Sequence, residues 1–79
     1  MYDIRSGIGS DGPTIESTAL SEYDAKNVIR NILRDLDSGG VACGSVWHKN
    51  QMIIYYSYIM ATKKLHWKYY TIDEDSETL

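Results

Sequence analysis

Seventy-nine residues, a net charge of −3 and a single cysteine make one small domain and exclude an intramolecular disulfide framework. A chain of this length buries only roughly 60–65% of the surface its unfolded form exposes, so its core has little to spare. No run approaches the roughly 20 apolar residues that span a bilayer, and Met1-Tyr2-Asp3-Ile4-Arg5 has neither region of a secretory signal. A free-standing cytoplasmic protein without membrane contact is expected.

Charge is segregated along the chain. Residues 1–40 hold seven acids and four bases, residues 41–72 hold four lysines and no acid, and residues 73–79 hold four acids. A basic middle between acidic ends attracts an acidic partner, or draws the tail back onto the chain's own middle.

Residues 1–19 read as a flexible or partly extended segment. Tyr2 and Ile4 alternate with Asp3 and Arg5, which suits a short fourth strand at the sheet edge, and SGIGSDGP over 6–13 marks a loop. The helix follows. Ser21 suits an N-cap with Asp24 three residues on, and Leu20 is placed to staple onto Ala25. Ala25, Val28, Ile29, Ile32, Leu33 and Leu36 recur at the spacing of one buried helical face. Lys26, Arg30 and Arg34 form a row on the other side, and Gly39-Gly40 provides the stop.

Three strands are predicted next, over residues 41–48, 51–60 and from 65 onward. Lys49-Asn50 makes a two-residue hairpin turn, and residues 61–64 make the second connection. This register pairs Trp47 with Met52, Cys43 with Tyr56, Tyr58 with Trp67 and Tyr56 with Tyr69. One face then carries Val41, Cys43, Trp47, Met52, Ile54, Tyr56, Tyr58, Met60, Leu65, Trp67 and Tyr69, and is expected beneath the helix. The second carries Ala42, Gly44, Val46, His48, Ile53, Tyr55, Ser57, Ile59, His66, Lys68, Tyr70 and Ile72. A one-residue change in a connection would turn a strand over. The fold class is α+β: one amphipathic helix packed on a three-stranded antiparallel meander across residues 20–72, with an acidic tail at 73–79 expected to be disordered.

Catalysis finds no constellation. The predicted register puts His48 and His66 roughly 26 Å apart along the sheet, with Cys43 on the opposite face, so no metal site is expected. Ser45 and Ser57 lack a converging base, and the acid-free middle offers no carboxylate pair. The glycines of GIGSDG lack the strand–loop–helix context of a phosphate loop. No enzyme activity and no cofactor are expected.

Association with a protein fits best. Seven tyrosines and no phenylalanine supply apolar area that tolerates water before binding. The expectation is a small inhibitor or regulator that occupies a partner's surface, homodimeric, of the kind encoded by a phage or mobile element. Its contact residues are Ile53, Tyr55, His66, Lys68 and Tyr70. The alternative is a single-stranded nucleic-acid binder on the same tyrosine- and lysine-bearing face, which a sequence pI near 5.1 disfavours.

Overall fold

The computed structural model describes residues 1–6, 14–35 and 40–79. Among these residues six strands and one helix follow in order: β1 (Tyr2–Ser6), β2 (Thr14–Ala19), α1 (Glu22–Arg34), β3 (Val41–His48), β4 (Gln51–Ile59), β5 (Lys64–Tyr69) and β6 (Glu74–Thr78). They form an antiparallel sheet in the order β2-β1-β3-β4-β5-β6, with α1 against one face. The class is α+β, with twice the strands of the expected meander. That meander is the β3-β4-β5 centre, which the β1–β2 hairpin extends on one side and β6 on the other.

Two corrections concern the ends of the chain. The first strand is not an edge, because β1 pairs with β3 on one side and β2 on the other. The acidic tail, expected to be disordered, is strand β6. Its Glu74 faces Lys68 across the ladder, so opposite charge at that pair and an unpaired strand edge outweigh its poor β-propensity.

The helix forms where its spacing predicts. The Asp24 N–H donates to Ser21 Oγ at 3.1 Å, and Glu22 and Asp24 occupy the positive end of the helix dipole. Ala25, Ile29 and Leu33 are buried, while Ile32 lies exposed at the margin of the stripe. Leu20 is 80% exposed, so no staple forms. Leu36 and Gly39 lie outside the described residues. Gly40 has φ +120°, a conformation open to glycine.

The β3–β4 turn has positive φ at both Lys49 (53°) and Asn50 (63°), the backbone of a tight hairpin. His48 and Trp47 meet Gln51 and Met52 as expected, but the register then shifts, and Val46 faces Ile54. Ile53 is the extra residue of a β-bulge. From there on β3 is turned over relative to the expected register: Ala42, Gly44 and Val46 face the helix side, while Val41, Cys43, Ser45 and Trp47 face away. Gly44 is the physical reason. A Cβ there would lie 2.5 Å from Arg5 O and 2.5 Å from Tyr56 Oη, so only glycine lets the Tyr56 ring lie across β3. The β4–β5 register differs from expectation by two residues, with Tyr56 facing Trp67 and Tyr58 facing Leu65. An even shift keeps each side chain on its face.

The core is one layer between sheet and helix. Ile4, Val46, Ile54, Tyr56, Tyr58, Leu65 and Trp67 from the sheet meet Ala25, Ile29 and Leu33 from α1. No helix among the described residues is long and apolar enough to cross a membrane.

Candidate functional site

The face away from α1 carries the unusual chemistry. Among the described residues no strand or helix is packed on it, since all six strands lie in the one sheet and the one helix lies on the other side. Val41, Met52 and Tyr55 are 59%, 42% and 41% exposed there. Trp47, Cys43 and Ile59 beside them are only partly covered.

Strands β1 and β3 build its centre. The Arg5 guanidinium stacks 4.3 Å from the Trp47 ring centroid, a cation–π arrangement. Trp47 Nε1 donates to Ser45 Oγ at 2.8 Å, so the indole lies over a buried serine. Arg5 Nε is buried beside it without an acceptor among the described residues. Tyr55 extends the patch onto β4. A hydrogen bond with Cys43 pushes its hydroxyl pKa up, with partial burial and the charge of Cys43 adding to the effect. The phenol therefore stays neutral at physiological pH and can both donate and accept.

Three of the five predicted contact residues meet on this face. Tyr55 pairs directly with Lys68, and His66 pairs with Ser57 one step along the ladder. These four side chains share a hollow with Glu74 and Asp75 of β6. Ile53 and Tyr70 lie elsewhere, at the end of the β4–β5 ladder, where the Tyr70 N–H donates to Ile53 O at 2.9 Å. Ile53 is the bulge residue and packs half-buried against the core. Sequence reasoning missed Arg5, Trp47 and Met52 as members of the exposed face. The available signal was Gly44, whose missing side chain marks which side of β3 accepts a ring.

The helix side is occupied by the chain's own polar contacts. Glu77 of β6 accepts from Arg30 Nε at 2.6 Å and from Trp67 Nε1 at 3.0 Å. Lys26 Nζ bonds Tyr69 Oη and stands 4.7 Å from the Trp67 ring centroid. Partial burial pushes the Glu77 carboxyl up. The hydrogen bonds from Arg30 and Trp67, with the charges of Arg30 and Lys26, outweigh that and hold it below the ordinary carboxylate value. Lys26 and Arg30 are thus engaged inside the molecule, leaving Arg34, bonded to Asn31 at 3.3 Å, as the outer end of the row.

His48 stacks on Tyr2 with ring centroids 4.2 Å apart, and His66 lies on the other face of the sheet. Among the described residues no three side chains of metal-ligating type converge. Comparison with known proteins returns no matching family model, no matching curated protein and no matching solved structure.

Proposed function

We propose that the protein is a non-enzymatic binding module that occupies a partner protein's surface with the open face of its sheet, as a small inhibitor or regulator. The observation that carries this reading is the Arg5–Trp47–Tyr55 group on a face that no described element covers. Arginine, tryptophan and tyrosine are the residues that most often concentrate binding energy at protein interfaces. Here a rigid strand scaffold holds them, so little side-chain freedom is lost on contact. Met52 and Val41 add apolar area at the margin.

The nucleic-acid reading has weaker support. Lys68 and His66 share their hollow with the acids of β6, and Lys26 and Arg30 are engaged by Tyr69 and Glu77. A single strand tracking this surface would meet like charge beside Lys68.

A photo-crosslinking amino acid at Tyr55, compared with one at the exposed helix residue Tyr23, tests the reading in cells. The expected result is one discrete protein adduct from Tyr55, none from Tyr23, and loss of the adduct when Trp47→Ala is added. Adducts from Tyr23 alone would refute the open face as the binding surface. Salt-sensitive binding of a short oligonucleotide, lost in Lys68→Ala, would replace the reading with the nucleic-acid one.

A further inference from the structure

We propose that β6 is an exchangeable strand, and that two copies of the chain dimerise by each laying its C-terminal strand along the β5 edge of the other. This goes beyond the open-face reading and rests on different residues.

Among the described residues, β6 is hydrogen-bonded within the sheet to β5 alone. Its remaining attachments are few and specific. Glu77 reaches Arg30 and Trp67, the Leu79 N–H donates to Lys63 O at 2.9 Å, and the Leu79 side chain packs half-buried at the end of the core. The other side chains of β6 are exposed. Such a strand is held as a peptide ligand is held: a backbone ladder, one acid in a polar slot and one apolar anchor. None of these contacts depends on which copy supplies the strand.

The connection between β5 and β6 opposes the closed form. Ile72 has φ 66° and is 89% exposed. A β-branched residue in the left-handed region is a genuine outlier, and no burial of its side chain compensates it. The turn is held by Tyr69 N–H to Asp73 O at 2.9 Å and Ile72 N–H to Tyr69 O at 3.1 Å. Opening the turn lets Ile72 return to extended backbone and gives those groups to water, while every β6 contact is regained in the other copy. A short, strained hinge is the feature that favours such exchange. Charge holds the strand equally in either copy, since Glu74 faces Lys68 across the ladder, so the hinge alone distinguishes the two forms.

Cross-linking across the ladder tests the exchange directly. Lys64 and Thr78 are paired and both exposed. The full chain carrying Lys64→Cys and Thr78→Cys, with Cys43→Ser, is oxidised with oxidised glutathione at concentrations from about 10 µM to about 1 mM. Covalent dimers whose fraction rises with concentration are expected. Adding Ile72→Gly, which relieves the hinge, shifts the midpoint to concentrations about tenfold higher. Intrachain bridges alone at every concentration overturn the exchange. They do so even if light scattering finds a dimer, which would then be joined through the open face. A dimer fraction unchanged by Ile72→Gly overturns the role of the hinge and with it the proposal.

Discussion

Trp67 and Trp47 are the same side chain on opposite faces of one sheet, and they have opposite surroundings. Trp67 is fully enclosed by α1 and by Tyr56, with Glu77 accepting its N–H, and Lys26 and Arg30 stand over its ring. Trp47 is half-covered by one arginine and bonds a neighbour two residues away. Composition does not separate the two faces, since both are rich in aromatic and aliphatic residues. Register does. One extra residue at Ile53 decides that Val46 packs beneath the helix and Trp47 does not.

That contrast breaks most readily at the indoles. Trp67→Ala should lower stability in a denaturant titration by about 3–5 kcal/mol, the usual cost of emptying an aromatic core site. Trp47→Ala should cost no more than about 1 kcal/mol. Equal losses would mean that the open face is a second core. Gly44→Ala comes next, at about 1–3 kcal/mol, because the added methyl meets Arg5 O and the Tyr56 ring and the sheet must shift to admit it. Ser21→Ala should cost about 1 kcal/mol in thermal unfolding by removing the cap of the helix that closes the covered face.

A smaller effect is set by pH. The Glu77 carboxyl has a lower pKa folded than unfolded, so its contribution is fully present above the ordinary glutamate value. It is lost as pH falls through the lowered folded value. Urea midpoints at neutral and acid pH should therefore differ less in Glu77→Gln than in the parent chain. The smallest effect belongs to Tyr55→Ser, which should change stability by no more than about 0.5 kcal/mol while removing partner capture. A large stability loss there would assign Tyr55 to the fold instead of to an interface.

The sequence made the helix, its cap and the first hairpin turn legible, because each rests on contacts within a few residues: Ser21 with Asp24, and Lys49 with Asn50. It also placed Tyr55, His66 and Lys68 on one face, since the β4–β5 hairpin fixes their parity locally. What lay beyond reach was non-local. The bulge depends on how the Tyr56 ring meets Gly44 and on the approach of Arg5 O from a strand more than thirty residues away. Strand β6 depends on a free edge and on Arg30, neither of which a period in the acidic tail could reveal. Arg5 and Trp47 were missed for the same reason, being brought together only by the β1–β3 ladder.

The placement of the two indoles has a spectroscopic consequence. Each face of the sheet holds one tryptophan, so the chain carries a separate emission reporter for each side. With Trp47→Phe, the remaining fluorescence reads the enclosed, hydrogen-bonded Trp67 and follows loosening of the helix or departure of β6. With Trp67→Phe, it reads the half-covered Trp47 and shifts to the blue when a partner excludes water from the open face. Unfolding and recognition can then be followed in the same molecule without an attached dye.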